Sequence, residues 1–266
     1  TATDDAGNTA TCTFDVTVVD TTVPTIACPA NVSGEATSSA GAAVSYDAAT
    51  ATDIADDGVE ITYSAASGST FAIGTTQVTA TATDDAGNTA TCAFDVTVAD
   101  TTVPAITCSA NVSAEATSSS GAAVSYDAAT ATDIADDSVA ITYSAASGST
   151  FAIGTTQVTA TATDDAGNTS TCTFDVTVVD TTVPTITCSA NVSAEATSSS
   201  GAAVSYDAAV ATDIADDSVD ITYSAASDST FAIGTTTVTA TATDDAGNTA
   251  TCAFDVTVAD TTVPAI

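Results

Sequence analysis

Three short acidic segments recur in this sequence, and their side chains are of the kind that binds hard cations. One reads TDDAGN, first at residues 3–8; a second reads TDIADD, first at 52–57; the third is a single aspartate before TTVP, first Asp20. Calcium binds six to eight carboxylate, amide and carbonyl oxygens. Zinc would need histidine, which the sequence lacks, or free thiolates. The pattern therefore indicates calcium binding if the fold brings the three segments together.

The charge of the chain makes neutralisation from outside necessary. Of 266 residues, 34 are Asp or Glu and none is Lys, Arg or His, so the net charge is −34. Dissolved salt or bound multivalent cations must neutralise these carboxylates. Nucleic acid and anionic membranes are bound through Lys and Arg, so both are excluded as partners. No apolar run is long enough to cross a bilayer, so we expect no membrane insertion in this segment.

The residues that catalysis requires are also missing. A serine nucleophile needs a base such as His or Lys. Paired carboxylates can cleave glycosides, but the sequence has no Trp to form a sugar platform. Identical sites in every repeat would also be unusual for an enzyme. We predict that the protein is not an enzyme.

Internal repetition predicts the domain organisation. The sequence repeats every 80 residues without insertion, and the segments 21–100 and 101–180 differ at only 10 of 80 positions. This period fits a small domain with its own core. We predict F and G strands of a truncated repeat at 1–20, complete repeats at 21–100, 101–180 and 181–260, and the start of another at 261–266. The sequence has no Met and no signal-like start, so we expect a longer processed product.

Each repeat is predicted to be an antiparallel β-sandwich. In TCAFDVTV, the side chains of Cys92, Phe94, Val96 and Val98 fall on one face of a strand. Thr and Val are abundant, helical spacing of apolar residues is absent, and Ser-Gly, Asp-Gly and Gly-Asn mark turns. In the first complete repeat the predicted strands are A at 26–35, B at 42–50, C at 59–64, a short strand at 70–73, F at 76–83 and G at 89–99.

The predicted fold class is therefore all-β, with tandem Ig-like sandwich domains stacked end to end as a rod. A chain with about seven strands in Ig-like order enters each domain at one pole and leaves at the other. The linker VADTTVP is short, and its proline and β-branched residues favour an extended backbone.

Several blocks of each period resemble the hyalin repeat, or HYR, domain, an extracellular Ig-like module. They are TTVPTITCSANVSAEATSSSGAAVSY, SAASGSTFAIGTT and ATATDDAGNTATCAFDVTVAD. The resemblance covers each period from end to end and implies an extracellular or cell-surface location. Members of the family commonly have cysteine where this sequence has Tyr63 and Ala80. Because both are replaced together, the resemblance implies that these two positions are bonded to each other in relatives.

The resemblance further implies that the two remaining cysteines of each repeat form an independent pair. The predicted disulfides are Cys28 with Cys92, Cys108 with Cys172, and Cys188 with Cys252. The strand assignment agrees: Cys12 and Cys28 would lie about one domain length apart, roughly ten strand residues, whereas bonded Cα atoms lie within about 7 Å. Cys12 is left without a partner. Reduced core thiols are the alternative.

The predicted topology brings the acidic segments to one pole of each sandwich. The B–C loop and the F–G loop there face the aspartate that ends the previous repeat. Without a cation these carboxylates would raise each other's pKa and push the domains apart. For any one copy the alternative is an ordinary hairpin loop, because Asp, Gly and Asn are common turn residues. The predicted calcium ligands are Asp20, Asp53, Asp56, Asp57, Asp84, Asp85 and Asn88; Asp100, Asp133, Asp136, Asp137, Asp164, Asp165 and Asn168; and Asp180, Asp213, Asp216, Asp217, Asp244, Asp245 and Asn248.

Two functions fit these expectations. The first is a structural extracellular fibre or stalk, with calcium stiffening the domain junctions, a disulfide inside each domain, and other copies of the same chain as partners. The second is a cell-surface adhesin whose repeats bind a glycan or protein partner. Near-identity of the repeats favours the first, because a dedicated ligand site would make one repeat differ. N-glycosylation sequons read NVS at Asn31, Asn111 and Asn191, which are candidate attachment sites, and NTS at Asn168.

Overall fold

The computed structural model of the protein describes residues 1–263, and this part of the chain is all-β without a helix. No helix that could span a membrane is therefore found among these residues. By its internal contacts the chain divides into two compact units. The first comprises Thr1–Ala105, Thr132–Ala140 and Thr163–Thr169, and the second comprises Ile106–Ala131, Ile141–Ala162 and Ser170–Ile266.

The first unit contains the first ten strands. They are β1 (Ala2–Thr3), β2 (Thr9–Ala10), β3 (Thr25–Ala27), β4 (Val32–Glu35), β5 (Ala42–Ala43), β6 (Thr50–Thr52), β7 (Glu60–Tyr63), β8 (Thr70–Phe71), β9 (Gly74–Thr83) and β10 (Thr89–Ala99). A four-stranded sheet has the order β4-β10-β9-β7, and two small sheets pair β3 with β6 and β5 with β8.

The other sixteen strands lie mainly in the second unit. They are β11 (Ala105–Thr107), β12 (Val112–Glu115), β13 (Ala122–Ala123), β14 (Thr130–Thr132), β15 (Ala140–Tyr143), β16 (Thr150–Phe151), β17 (Gly154–Thr163), β18 (Thr169–Val179), β19 (Thr185–Thr187), β20 (Val192–Glu195), β21 (Ala202–Ala203), β22 (Val210–Thr212), β23 (Asp220–Tyr223), β24 (Thr230–Phe231), β25 (Gly234–Thr243) and β26 (Thr249–Ala259). They repeat the same sheets twice, with four-stranded orders β12-β18-β17-β15 and β20-β26-β25-β23.

The long hairpin β9–β10 supplies the most deeply buried side chains of its repeat. Val78 lies opposite Phe94 in its antiparallel register, and Val78, Val96 and Val98 are at most 1% exposed. These side chains pack in one cluster with Phe71 of β8 and with residues of the β5 region. Apolar residues at every second position therefore cover one face of the large sheet, as the sequence predicted, and the all-β sandwich class is confirmed.

Two predicted strands are interrupted. The predicted A strand at 26–35 is divided into β3 and β4, and β4 runs parallel to β10, whereas β3 runs antiparallel to β6. At the break, Asn31 accepts a hydrogen bond through Oδ1 from the backbone N–H of Asp95, 2.9 Å away. This contact anchors the chain where it moves from one sheet to the other. Continuity across 26–35 was therefore a wrong prediction, and the β4–β10 pairing is a parallel addition to the otherwise antiparallel large sheet.

The predicted B strand at 42–50 is likewise divided into β5 and β6. Between them, the backbone N–H of Tyr46 donates to Ser67 Oγ at 2.9 Å, and the Tyr46 hydroxyl donates to the Ala65 carbonyl. These bonds replace strand pairing, so the segment crosses the edge of the sandwich without forming a ladder.

An aromatic group fills the core of each repeat, which has no Trp. The Tyr46 ring lies 4.8 Å from that of Phe94 and 5.4 Å from that of Tyr63, measured between centroids. The Tyr63 hydroxyl accepts a hydrogen bond from the Ala49 N–H at 2.7 Å. Tyr63 lies directly opposite Ala80, the two positions at which the sequence resemblance places cysteines in relatives. A bonded pair would fit this register, and here Tyr63 packs inward instead.

The first twenty residues form less structure than the corresponding part of a full repeat. Only the short β1–β2 hairpin is present. Phe14 and Val18 are 83% and 93% exposed, whereas the equivalent Phe94 and Val98 are 3% and 1% exposed. The apolar face that predicts a G strand at this position is thus exposed, and no sheet covers it among the described residues. Of the predicted partial repeat at 261–266, residues 264–266 lie outside the described residues.

Gly41 leaves no room for an added methyl group. Its φ is +107°, and an ideal Cβ would lie 1.8 Å from the Phe71 carbonyl oxygen. We expect Gly41→Ala to destabilise its repeat by at least about 2 kcal/mol, because strained backbone and steric overlap add together.

Gly74 is the matched control, since its φ is +113° but nothing lies within 4 Å of its ideal Cβ. Gly74→Ala should cost only the backbone term of about 1–2 kcal/mol. Urea unfolding of both variants measures the difference, and equal costs would contradict the steric argument.

Candidate metal centre

Three clusters of aspartates form where the acidic segments meet. In each cluster, one carboxylate oxygen from each of three residues lies within 4.8 Å of the others. Two clusters lie in the first unit and one in the second. They are Asp20 with Asp53 and Asp84, Asp100 with Asp133 and Asp164, and Asp180 with Asp213 and Asp244.

Strand ends position these carboxylates. In the second cluster, Asp100 directly follows β10, Asp133 directly follows β14, and Asp164 directly follows β17. The cluster therefore joins the end of one repeat to two loops of the next. Asp164 is 6% exposed, and its equivalents Asp84 and Asp244 are each 5% exposed.

In the second cluster, local turns bond one oxygen of Asp133 and one of Asp100, whereas both oxygens of Asp164 accept from Asn168. Asp133 Oδ1 accepts from the Ala135 N–H at 2.8 Å, and Asp100 Oδ1 accepts from the Thr102 N–H at 3.1 Å. Asp133 Oδ2 is buried and has no hydrogen-bond partner among the described residues. A buried acceptor without a partner is costly unless something satisfies it.

Like charges repel strongly in this arrangement. Burial raises the pKa of Asp100 above its ordinary value, and repulsion from Asp133, Asp164 and Glu35 adds to the rise, against one opposing hydrogen bond from the backbone. The pKa of Asp180 is raised for the same reasons by its own neighbours Asp213, Asp244 and Glu115. A cation bound nearby would act against this rise, because it favours the charged form of a carboxylate.

Asn88 holds the deepest carboxylate of its cluster in place. Burial acts to raise the pKa of Asp84, but hydrogen bonds from the side chain and backbone of Asn88 outweigh it, so this pKa lies below its ordinary value. Asn88 Nδ2 donates to Asp84 Oδ2 at 2.9 Å and to the Asp20 carbonyl at 3.4 Å. The amide nitrogen thus faces the carboxylate, and Asn88 links the F–G loop to the end of the previous repeat. Asn168 and Asn248 make the same contacts.

The donor set fits calcium. Three carboxylates supply up to six hard oxygens of the kind calcium binds, and Asp133 Oδ2 has no hydrogen-bond partner among the described residues. Zinc fits poorly, because six of the seven thiols are in disulfides and no histidine is present.

The remaining predicted ligands lie outside the three-residue clusters. Asp56 bridges the two loops, because its oxygens accept from the Gly58 N–H at 2.7 Å and the Asp85 N–H at 3.1 Å. Asp136 and Asp216 do the same in the later repeats. The other predicted residues are exposed: Asp57, Asp85, Asp137, Asp165, Asp217 and Asp245. Asp137 accepts a hydrogen bond from Ser39 of the preceding repeat at 3.0 Å. A ligand role for these residues stays a prediction.

The three predicted disulfides are confirmed. Cys28–Cys92, Cys108–Cys172 and Cys188–Cys252 are bonded, with Cα atoms 5.8, 5.7 and 5.7 Å apart. Cys12 is free and exposed. Each bridge ties the segment between the split halves of strand A to the G strand, near the pole that carries the aspartates.

The sequons fall into two structural classes. Asn31 is exposed and its Oδ1 accepts from the Asp95 N–H, so a glycan on Nδ2 would leave that bond intact. Asn111 and Asn191 are equivalent. Attachment at Asn168 would instead disrupt the bonds of its Nδ2 to Asp164 and Asp100. Glycosylation of Asn31, Asn111 and Asn191 stays a prediction.

The sequence interpretation missed Glu35, which carries no distinctive motif. Its carboxylate accepts hydrogen bonds from Thr101 N–H and Oγ1 at 2.7 and 2.9 Å and from Thr102 Oγ1 at 3.1 Å. These bonds lower the pKa of Glu35. The available signal was the joint recurrence of this glutamate and the Thr-Thr pair with the 80-residue period.

Comparison with protein families gives three consecutive matches to the HYR domain, at residues 19–98, 99–178 and 179–258. Each match begins two residues before the repeat predicted from the period. The predicted boundaries remain a proposal.

Two similar curated proteins are both hyalins. Hyalin of Strongylocentrotus purpuratus is 38% identical over 275 residues, which cover 98% of this chain and 23% of that protein. Hyalin of Lytechinus variegatus is 34% identical over 278 residues, which cover 99% of this chain and 52% of that protein. The chain thus spans from about a quarter to about half the length of these relatives.

Among solved structures, cadherin fragments match this chain at low TM-scores. Mouse cadherin-23 EC22-24 gives a TM-score of 0.36 at 14% identity, covering 90% of this chain and 99% of that one. Drosophila N-cadherin EC1-4 gives 0.34 at 12% identity, covering 89% and 75%.

Proposed function

Because this chain belongs to the HYR domain family, we propose that it is a structural segment of an extracellular fibre or stalk whose consecutive repeats are joined by calcium. HYR repeats are structural or adhesion modules and not enzymes. The three disulfides agree with an oxidising, extracellular setting.

The convergence of three aspartates at each junction carries this proposal. In the second cluster, Asp100 belongs to one repeat, whereas Asp133 and Asp164 belong to the next. A cation held by all three would therefore link two repeats, and its removal would leave three carboxylates repelling one another. Calcium bound in this way would restrict bending at the junction and favour the rod predicted from the sequence.

Apolar packing supports the same junction. Ala135, next to the Asp133 turn, is 7% exposed and belongs to the same core cluster as Ala36 of the preceding repeat. Ala55 is the equivalent residue in the repeat that follows the first twenty residues, and it is exposed. The loop that supplies the Asp133 carboxylate is thus seated on the neighbouring repeat.

Calcium should stabilise the chain and stiffen it. Ligand at 100 times its Kd stabilises the folded state by about 2.7 kcal/mol, which corresponds to a rise in Tm of about 10–20 °C for a domain of this size. Thermal unfolding and small-angle X-ray scattering, in saturating calcium and in EGTA, measure both effects. Sodium chloride at matched ionic strength separates binding from screening. Equal Tm values and equal maximum dimensions in calcium and EGTA would overturn the proposal.

A further inference from the structure

A glutamate lies beside the linker at the end of each complete repeat. Glu35 ends β4 and is opposite Ala99 in the parallel pairing with β10, so its side chain reaches the linker that starts at Asp100. It accepts all three hydrogen bonds offered by the Thr101 N–H, the Thr101 hydroxyl and the Thr102 hydroxyl. Glu115 and Glu195 make the same three bonds, to Thr181 with Thr182 and to Thr261 with Thr262.

The linker at Asp20 shows the other arrangement that the threonine hydroxyl can adopt. There the Thr22 hydroxyl donates to Asp20 Oδ1 at 2.8 Å, in addition to the Thr22 N–H at 2.9 Å. At Asp100, the equivalent Thr102 hydroxyl donates to Glu35, and Asp100 Oδ1 accepts only the Thr102 N–H. A hydroxyl has one proton to donate. Where the glutamate is present, the aspartate therefore loses one competing donor.

We propose that Glu35 and Glu115 are positioning residues for the cation sites at Asp100 and Asp180. Each glutamate fixes the linker backbone next to the aspartate and accepts the hydrogen bond of the threonine hydroxyl. The aspartate Oδ1 then keeps a lone pair that can bind a cation. This inference rests on the proposed calcium junction. In addition to the aspartate, the preceding repeat would contribute a glutamate that raises the calcium affinity of the site without contacting the ion.

The test is a site-resolved calcium titration of the full chain by amide hydrogen exchange. Peptides that span Thr101 and extend to Thr107, and peptides that span Thr181 and extend to Thr187, are each unique in sequence, because Ala105 is replaced by Thr185 and Ala27 stands where the last repeat has Thr187. The two junctions can therefore be followed in one experiment. The readout is the calcium concentration that gives half-maximal protection of each linker.

Glu35→Ala should raise that concentration at the Asp100 junction by about two- to tenfold, the range set by one net hydrogen bond. The Asp180 junction in the same molecule should not change. In EGTA, the Thr101 amide of Glu35→Ala should exchange faster than in the unsubstituted chain, which shows that the linker has been released. Asp95→Ala is the matched control for lost charge, since Asp95 lies about 16 Å from Asp100 along β10.

The double variant Glu35→Ala/Thr102→Val distinguishes two roles of Glu35: keeping the Thr102 hydroxyl away from the Asp100 carboxylate, and only holding the linker in place. With the hydroxyl removed, only the backbone N–H of residue 102 donates to Asp100, as in the unsubstituted chain, and we expect calcium affinity to return to within about twofold of the original value. An unchanged affinity in Glu35→Ala, or a loss that Thr102→Val does not restore, would overturn the inference while leaving the calcium junction intact. No calcium-dependent protection in the unsubstituted chain would overturn both.

Discussion

Replacing Asp164 with asparagine should weaken calcium binding at the Asp100 junction by about thirtyfold or more, because losing one buried charged partner costs about 2–5 kcal/mol. Asp164 is 6% exposed, and one of its oxygens lies within 4.8 Å of those of Asp100 and Asp133. Asparagine keeps the size and one acceptor oxygen of the side chain, so one of the two hydrogen bonds from Asn168 can be retained.

The neighbouring Asp165 provides the matched control. It is exposed and lies outside the cluster, so Asp165→Asn should change affinity by less than about twofold, as for an exposed charge. Calcium titration of both variants, with circular dichroism to verify folding, gives the comparison. Equal losses in the two variants would show that the total charge of the loop matters and not the three-residue cluster.

Removal of one disulfide should be the most destabilising change available in a repeat. Cys108 and Cys172 are separated by 64 residues, and closing a loop of that length stabilises by about 4 kcal/mol in the chain-entropy model. The core of each repeat consists mainly of Val, Ala and a few aromatic residues, so we expect the free energy of unfolding of a repeat to be small. We expect Cys108→Ala/Cys172→Ala to unfold its repeat at a temperature lower by roughly 15–30 °C.

Differential scanning calorimetry of the full chain should show one transition moved to lower temperature, since the other two bridges remain. Cys12→Ala is the control, because Cys12 is free and exposed and its loss should leave every transition in place. A double variant whose transition temperatures equal those of the unsubstituted chain would contradict a stabilising role for the bridge.

The long strands and the bridges could be predicted because their signals are local and repeated. Alternation of apolar and polar residues over ten or eleven positions defines β9 and β10 and their buried faces. The family resemblance identified the cysteine pairs, and the register of Tyr63 with Ala80 agrees with the second pair that it implies in relatives.

The interrupted strands could not be predicted because side chains, not periodicity, end them. Asn31 and Ser67 satisfy backbone N–H groups at the breaks, and neither residue has a sequence signature for that role. The sequence also predicted seven ligands at each junction, of which three converge. Composition identifies which loops are acidic, but turn geometry decides which carboxylates point inward and which, like Asp56, bond to backbone. Glu35 was missed for a related reason: its importance depends on a parallel pairing that the alternation pattern does not contain.

The most direct test of calcium-linked repeats is a crystal structure of the chain grown in calcium. We expect electron density for an ion between Asp100, Asp133 and Asp164, with oxygen distances of about 2.3–2.6 Å, and equivalent density in the other two clusters. The Asp133 oxygen that lacks a hydrogen-bond partner should be one of the ligands. Density for water alone, with the three carboxylates turned away from one another, would contradict the account.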